Sequence, residues 1–370
     1  MSLTILHTEA SSGWGGQEIR ILDESAGMIA RGHRVAIAAP EGAPIVAAAQ
    51  RRSIPVHVIP VDRRNIAGLR ALMRLIAELK PDVVVTHSST DSWLTAVAAR
   101  LARRKPAVVR TRHLSTPVAG GPLNRWLYGS AAAFVVTTGE AIRAALIERL
   151  GLDPQRVVSI PTGVDLSRFS PGNRTEASRK LGLDGAGPVI GIVATLRSWK
   201  GHRFLIEALR DPRLADARLV IVGDGPQDKA LRAQAGSVGL SDRIVFAGRQ
   251  NDVVPWLHAF DVFALPSTGN EGVPQALMQA MACGLPVVTT PVGAIPELVR
   301  DGETGLLVPP NDTGALAAAI ARILSDQTLA QSLATAARRL IEARHTNTMM
   351  LDAMENVIRK ALKQNNIRNP

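Results

Sequence analysis

Residues 268–288 read TGNEGVPQALMQAMACGLPVV and join a polar turn, the start of a helix and a buried strand in one short segment. Glu271 stands between glycines in the turn, and the helix is predicted to begin near Val273 or Pro274. The backbone amides of a first helical turn have no partner inside the helix and bind anions. An acid just before them is suited to hydroxyl groups, so the segment predicts a site for a ligand that carries both, such as a sugar diphosphate. The alternative is that Glu271 only caps its helix.

Outward from this segment, short apolar runs alternate with longer helical stretches, which is the pattern of βα units in a parallel sheet. The first set of predicted strands covers residues 4–7, 34–39, 56–59, 82–86, 107–111, 134–138 and 157–160. The second set covers residues 189–194, 218–222, 244–247, 262–265, 287–289 and 306–308. Residues 161–188, between the sets, contain three prolines and five glycines, which is typical of a connection between domains.

The chain is therefore predicted to be an α/β protein with two doubly wound, Rossmann-like domains. We predict an N-terminal domain over residues 1–165, a linker over 166–187 and a C-terminal domain over 188–345. Residues 346–370 are predicted to form a helix that packs back toward the N-terminal domain, after a helical stretch that begins at Asp312. Ligands bind outside the carboxyl ends of parallel strands, so we expect the active site in a deep cleft between the two domains.

The composition favours a protein of the reducing cytoplasm. No run approaches the ~18 apolar residues of a membrane span, and the first residues read as a strand without the basic start of a signal peptide. Cys283 is the only cysteine, which excludes an intrachain disulfide, and its apolar surroundings predict a small buried residue rather than a nucleophile.

The formal net charge of +11 is concentrated in the N-terminal part of the chain. Residues 1–160 hold 20 Lys and Arg against 12 Asp and Glu, whereas residues 161–370 hold 23 against 20. Aromatic residues make up 3% of the chain, too few for stacking on single-stranded nucleic acid, so no specific nucleic acid is expected. We expect the basic surface to contact an anionic membrane, the alternative being ordinary solvated helix ends.

Two glycine turns are candidates for phosphate binding. Gly15 and Gly16 follow the first strand and open a helix that runs to about Ala30, so the backbone there can approach a ligand closely. The second turn contains Gly223 and Gly225, but Asp228 stands where a dinucleotide fingerprint requires a third glycine, which argues against nicotinamide binding. The sequence has no Asp-x-Asp triplet and no His or Cys cluster with metal-ligand spacing, so no metal ion is expected.

Seven segments, in this order, resemble the family-4 retaining glycosyltransferases of the GT-B fold. They are GWGGQE at 13–18, RTRH at 110–113, IPTGVDLSRFSP at 160–171, WKG at 199–201, VGDGP at 222–226, FAG at 246–248 and the opening segment at 268–288. The resemblance implies that the N-terminal domain receives the acceptor and the C-terminal domain binds a nucleoside diphosphate sugar, without a metal ion or other cofactor.

The resemblance also assigns roles to single residues. Lys200 would lie beside the leaving phosphates, Glu271 would hold the donor sugar, and His113 would lie near the donor and the acceptor. His87 is a candidate contact on the acceptor side. The predicted donor-binding residues are Gly15, Gly16, Arg197, Gly225, Arg249, Gly272, Val273, Gln275 and Gln279. Two of these depart from the family pattern, because the usual arginine position holds Thr195, with Arg197 nearby, and Gln279 stands where relatives commonly carry a second glutamate for the ribose.

The function implied is that of a retaining hexosyltransferase that moves a sugar from a UDP- or GDP-linked donor to a glycan or lipid-linked acceptor. We expect it to act in the assembly of lipopolysaccharide or cell-surface polysaccharide, peripherally at the cytoplasmic membrane face. One alternative is a sugar-nucleotide epimerase of similar fold. The other is a non-catalytic basic protein that binds a nucleotide sugar or nucleic acid.

Overall fold

The computed structural model describes residues 2–185, 187–269 and 271–368, without the side chains of residues 366–368. The chain forms two compact units: the first combines Met1–Gly163 with Asn347–Pro370, and the second is Val164–Thr346. The predicted linker, residues 166–187, therefore lies within the second unit. The final helix belongs to the first.

The first unit contains a parallel sheet of seven strands in the order β3-β2-β1-β4-β5-β6-β7. Its strands are β1 (Thr4–Thr8), β2 (Arg34–Ala39), β3 (Val56–Val58), β4 (Val83–Thr86), β5 (Ala107–Arg112), β6 (Phe134–Thr137) and β7 (Val157–Ser159). The central strands are almost wholly buried, as in β4, where every residue of VVVT is inaccessible. Continuous apolar runs of this kind form strands that are covered on both faces.

The second unit contains a parallel sheet of six strands in the order β10-β9-β8-β11-β12-β13. Its strands are β8 (Val189–Val193), β9 (Arg218–Val222), β10 (Ile244–Gly248), β11 (Val262–Leu265), β12 (Val287–Thr289) and β13 (Leu306–Leu307). All thirteen predicted strands are thus present, with ends that differ by at most one residue.

The helices connect the strands and cover the faces of the sheets. In chain order they are α1 (Gly16–Ala30), α2 (Pro44–Arg51), α3 (Ile66–Leu79), α4 (Ser89–Leu101), α5 (Pro122–Arg125), α6 (Glu140–Leu150), α7 (Arg174–Lys180), α8 (His202–Ala208), α9 (Asp228–Ser237), α10 (Val254–Ala259), α11 (Gln275–Ala282), α12 (Thr313–Ser325), α13 (Gln327–Arg344) and α14 (Asn347–Arg368). A π-helical turn, Trp126–Ser130, continues α5. Among the described residues, no helix combines the length and the apolar content that a membrane span requires.

The helical stretch after Asp312 consists of three helices, the last of which is the predicted C-terminal helix. Asp312 accepts a hydrogen bond from the Ala315 amide at the start of α12, and Asp326 does the same for Leu329 at the start of α13. An aspartate side chain that caps a new helix interrupts the previous one. A further break at His345 lets α14 leave the second unit.

Helix α14 completes the core of the first unit. Met354, Ile358 and Ala361 are fully buried in one apolar cluster with residues of β1, β4 and β5. At the helix surface, Arg31 forms ion pairs with Asp352 at 2.7 Å and with Glu355 at 3.1 Å. The first unit is therefore built from both ends of the chain.

Each sheet has one point where the strand order reverses. In the first unit the reversal lies between β1 and β4, and in the second it lies between β8 and β11. The connections leave these neighbouring strands in opposite directions, which opens a crevice at their carboxyl ends where ligands bind in doubly wound folds. The predicted fold class, two doubly wound α/β domains, is confirmed.

Candidate functional site

Lys200 and Glu271 form an ion pair at the reversal point of the second sheet. Lys200 lies in the loop after β8 and Glu271 in the loop after β11. The Lys200 Nζ atom donates to Glu271 Oε1 at 2.7 Å and to Oε2 at 2.9 Å. The side chain of Lys200 is 20% exposed and that of Glu271 is 5% exposed. Two residues predicted to hold different parts of one ligand are thus in direct contact.

The carboxylate of Glu271 is held by its neighbours and does not cap α11. Ser267 Oγ donates to Glu271 Oε1 at 2.6 Å. Pro274 is the N-cap residue of α11, and no described side chain makes a hydrogen bond at this cap, so the alternative that Glu271 only caps its helix is wrong. The two loops are also joined by the backbone, because the Thr268 amide donates to Trp199 O at 2.8 Å.

Two glycines allow the loops around this pair to approach other backbone segments. Gly201 has a φ of +79°, and a Cβ atom there would lie 1.9 Å from Pro266 O. Gly293 has a φ of +60°, and its Cβ atom would lie 2.1 Å from the carbonyl oxygen of Glu271. Both positions need left-handed backbone, which glycine adopts without strain. The conformation of both loops therefore depends on these two glycines.

The predicted residues near the start of α11 follow Glu271 directly. Gly272 and Val273 are buried between Glu271 and the helix. The buried Oε1 atom of Gln275 has no hydrogen-bond partner among the described residues. Gln279 is buried one helical turn further on. The structure thus brings Glu271, the helix start and the two glutamines together.

The other predicted donor-binding residues of the second unit lie in neighbouring loops. Gly225 follows β9 with a φ of +153°, and its Cβ atom would lie 2.8 Å from Leu196 N. Arg197 is exposed, with its guanidinium 5.7 Å from the ring centre of Trp199. Arg249 is exposed at the end of β10. The roles of Gly225, Arg197 and Arg249 in donor binding stay predictions.

Three histidines form a hydrogen-bonded chain at the carboxyl edge of the first sheet. His7 lies in β1, His87 follows β4 and His113 follows β5, and these three strands are neighbours. His7 Nδ1 lies 2.9 Å from His87 Nε2, and His87 Nδ1 lies 3.1 Å from His113 Nε2. The rings are stacked, with centroids 5.2 Å and 5.3 Å apart. The candidates His87 and His113 thus lie side by side at the reversal point.

All three imidazoles are neutral at pH 7. Burial, followed by the nearby charge of Arg20, lowers the pKa of His7 to about 3. Burial, followed by the neighbouring rings and Arg20, holds the pKa of His87 well below its usual range. Burial, Arg20 and Arg112 do the same for the pKa of His113. A neutral imidazole has one donor and one acceptor, which suits it to hydrogen bonding rather than charge neutralisation.

A buried carboxylic acid lies beside the glycine turn of the first unit. Burial, followed by the charges of Asp91 and Glu18, raises the pKa of Glu9 to about 8. The Ser11 amide donates to Glu9 Oε1 at 2.7 Å, and the Gln17 side chain donates to Oε2. Gly15 is the extended N-cap residue of α1, and Gly16 is the first residue of that helix. Glu9 therefore accepts hydrogen bonds from a residue before these glycines and from a residue after them.

Within the described residues, no group of three or more His, Cys, Asp or Glu side chains is arranged to hold a metal ion. Cys283 is buried, as predicted, and burial raises the pKa of its thiol to about 12. Such a thiol is not a nucleophile at neutral pH.

Several residues of these sites are missing from the sequence predictions. His7, Glu9 and Ser267 each make hydrogen bonds to predicted residues or to their loops. His202, which follows Gly201, is buried with no partner for either ring nitrogen among the described residues, and burial lowers its pKa to about 4. His7 and Ser267 could have been found from the sequence by their position, because each lies near the carboxyl end of a predicted strand that borders a reversal of strand order.

Comparisons with known proteins cover almost the whole chain. Residues 14–168 match the family described as Glycosyltransferase Family 4, and residues 187–326 match the one described as Glycosyl transferases group 1. The UDP-Gal:alpha-D-GlcNAc-diphosphoundecaprenol alpha-1,3-galactosyltransferase of Escherichia coli is 32% identical over 298 residues, which are 75% of this chain and 76% of that protein.

Two further proteins extend the comparison. The D-inositol 3-phosphate glycosyltransferase of Actinosynnema mirum is 37% identical over 195 residues. The match covers 49% of this chain and 46% of the length of that relative, so the chain spans about half of it. The crystal structure of Anabaena HepE in complex with UDP and glucose has a TM-score of 0.85 at 23% identity, over 96% of this chain and 99% of that one. The structural likeness extends over both units.

Proposed function

This chain belongs to the family-4 glycosyltransferases, which have the GT-B fold, and we propose that it transfers a sugar from a UDP- or GDP-linked donor to a glycan or lipid-linked acceptor. The observation that carries the proposal is the Lys200–Glu271 ion pair next to the start of α11. A cation, an acid and free helix-start amides are the groups that a sugar diphosphate requires.

Each of these groups has its own part in the proposed reaction. Lys200 would neutralise the charge that develops on the leaving diphosphate, together with the first amides of α11. Glu271 would accept hydrogen bonds from hydroxyl groups of the donor sugar. Gln279 would contact the ribose through neutral hydrogen bonds, which are weaker than those of a carboxylate. Gly15 and Gly16 keep their predicted role at the diphosphate.

We propose that the sugar is transferred with retention at the anomeric carbon and without a metal ion. Lys200 and the helix-start amides supply positive charge at the diphosphate, which is the electrostatic part of a metal ion's work. The acceptor hydroxyl would attack the front face of the sugar while the departing phosphate takes its proton. The new glycosidic bond then forms as the bond to the phosphate breaks, with His113 next to the reacting sugar or the acceptor.

A donor screen tests this function. We expect one or a few UDP- or GDP-sugars to raise the unfolding temperature, since a ligand at 100 times its Kd stabilises by about 2.7 kcal/mol. With that donor, nucleoside diphosphate should be released only when an acceptor is present. A changed sugar nucleotide formed without acceptor would instead identify an epimerase. Donor binding without turnover across glycan and lipid-linked acceptors would identify a binding protein.

We propose further that the acceptor lies at the cytoplasmic face of a membrane, in the assembly of lipopolysaccharide or another cell-surface polysaccharide. The first unit holds 24 Lys and Arg against 14 Asp and Glu, whereas the second holds 19 against 18. The Escherichia coli relative is named for an acceptor carried on a lipid diphosphate. An excess of basic residues favours peripheral binding to anionic lipid.

An aromatic and basic patch on the first unit is a candidate for this contact. We define it by Arg64, Trp93, Arg100, Leu123 and Trp126, in which the two indole rings stack with centroids 5.6 Å apart. Arg64 lies over Trp93 and Arg100 over Trp126, at 5.5 Å and 4.6 Å. On α5, next to a cavity of about 390 Å³ lined in part by Trp126, Leu123 is 68% exposed. Tryptophan, leucine and arginine together are typical of surfaces that bind a membrane interface.

Vesicle sedimentation tests the patch with charge-matched variants. We expect the protein to bind vesicles that contain anionic lipid and to release at high salt, and Leu123→Glu to weaken this binding several-fold. Val58→Glu, at a 50% exposed position on β3 of the same unit, is the control with the same change of charge. Equal losses in both variants, or binding that ignores salt and anionic lipid, would exclude the patch.

A further inference from the structure

The chain from His7 through His87 to His113 has only two consistent arrangements of its protons. All three rings are neutral, so each has one N–H donor and one bare nitrogen. Every link in the chain joins one ring nitrogen to one other. Once one ring has a fixed tautomer, the other two are therefore fixed as well.

In the first arrangement the donors point toward His113. His7 Nδ1–H donates to His87 Nε2, His87 Nδ1–H donates to His113 Nε2, and the proton of His113 remains on Nδ1. In the second arrangement His113 Nε2–H donates to His87, His87 donates to His7, and the proton of His7 lies on Nε2.

One observation favours the first arrangement. The Nε2 atom of His7 is buried and has no hydrogen-bond partner among the described residues. The second arrangement would place an unpaired N–H there, and buried N–H groups without an acceptor are rarer than buried acceptors without a donor. The fully buried Arg20 acts on all three rings and Arg112 acts on His113, so these positive charges do not choose between the two arrangements.

The rest of the surroundings keeps Arg20 in place. Its Nη1 atom donates to Ile160 O at 2.7 Å, and its Nη2 atom lies 3.7 Å from the sulfur of Met354 in α14. Glu24, one turn further along α1, lies 3.7 Å from Arg20 Nε. The guanidinium is thus fixed between α1, the end of the sheet and α14.

We propose that His7 and His87 are positioning residues that hold His113 in the tautomer with its proton on Nδ1, which makes His113 a hydrogen-bond donor whose other nitrogen is already occupied. This inference rests on the proposed function for its purpose, because the Nδ1–H group would donate to an oxygen of the bound sugar or acceptor. His113 would then orient that oxygen and would not act as a base through Nε2. The proton of the acceptor must leave by another route, as it does when the departing phosphate takes it.

Nitrogen-15 NMR of the ligand-free full-length protein tests the tautomer directly. The ring signals of His113 are assigned by their disappearance in His113→Gln. We expect a protonated Nδ1 and an unprotonated Nε2 in the wild type. In His7→Phe the chain loses its first donor, so His113 should populate both tautomers. In His7→Asn an amide N–H replaces the Nδ1–H of His7, so the wild-type tautomer should return.

His33→Phe is the matched control, since His33 is a buried histidine of the same unit outside the chain. It should leave the tautomer of His113 unchanged. A protonated Nε2 on wild-type His113, or an unchanged His113 spectrum in His7→Phe, would overturn the inference. The wild-type spectrum decides even if His7→Phe does not fold.

The kinetic readout separates positioning from stability. Once a donor is known, His7→Phe should lower kcat by about 10- to 100-fold, by analogy with the loss of an outer partner of a metal-ligating histidine, while the donor KM stays near the wild-type value. His7→Asn should restore most of kcat. An unchanged kcat in His7→Phe would overturn the positioning role. Absence of sugar transfer with every donor would overturn the proposed function alone, because the NMR result does not depend on turnover.

Discussion

Lys200→Met is expected to lower the turnover of sugar transfer by about 10²- to 10³-fold, the usual effect of removing one electrostatic contact to a transition state. Methionine keeps the apolar length of the side chain and removes the charge that faces the leaving diphosphate. Because Lys200 donates to both oxygens of a nearly buried Glu271, the change also leaves a carboxylate without its partner. We expect a loss of about 3 kcal/mol in the free energy of unfolding. Steady-state kinetics and urea unfolding measure the two effects.

A double variant separates the loss of turnover from the loss of stability. Lys200→Met with Glu271→Gln removes both charges, so most of the lost stability should return, whereas turnover should stay at or below that of the single variant. Lys229→Met, at an exposed lysine of the same unit, controls for loss of a positive charge alone. Recovery of turnover in the double variant would show that Lys200 serves only to neutralise Glu271. Wild-type turnover in the single variant would remove Lys200 from the proposed mechanism.

Gly201→Ala is expected to destabilise the second unit by about 2–5 kcal/mol, from left-handed backbone strain together with overpacking. At a φ of +79° the new Cβ atom would lie 1.9 Å from Pro266 O, so the loops after β8 and β11 must separate. Those loops carry Lys200 and Glu271, and turnover should therefore fall as well. Urea unfolding, followed together with turnover, measures the change.

Gly239→Ala is the matched control for the backbone term. Gly239 has a φ of +71° in the same unit, and its Cβ atom would meet nothing within 4 Å. Only the left-handed strain of about 1–2 kcal/mol is expected there, with unchanged turnover. If both variants lose the same stability, the close approach to Pro266 contributes nothing.

The central strands of both sheets are predictable from the sequence because they are buried on both faces. A run such as VVVT in β4 has no polar face to blur its limits, and the next residue, His87, marks the end of the strand. Thirteen short apolar runs that alternate with helical stretches predict two parallel sheets, and with them the edges where ligands bind. The segment around Glu271 and the resemblance to the family then pointed to Lys200, Glu271 and His113, which the structure places at or next to the two reversal points.

The contacts between these residues could not be predicted from the sequence. Lys200 and Glu271 are 71 positions apart in the chain, and their pairing depends on the left-handed turn at Gly201 and on side-chain conformations. In the sequence, His7 is an ordinary member of an apolar strand. Only the pairing of neighbouring strands shows that His87 lies beside it. The register between β1 and β4 makes that chain, and no local pattern in the sequence encodes the register.

Helix α14 also determines when the first unit can complete its fold during synthesis on the ribosome. The first sheet is synthesised early, but the helix that covers one of its faces comes after the entire second unit. At usual elongation rates, synthesis of the second unit takes about 10 to 40 seconds. Throughout that interval the apolar face of β1, β4 and β5 lacks the helix that brings Met354 and Ile358 to it. The unit that begins the chain is therefore the last to reach its folded state.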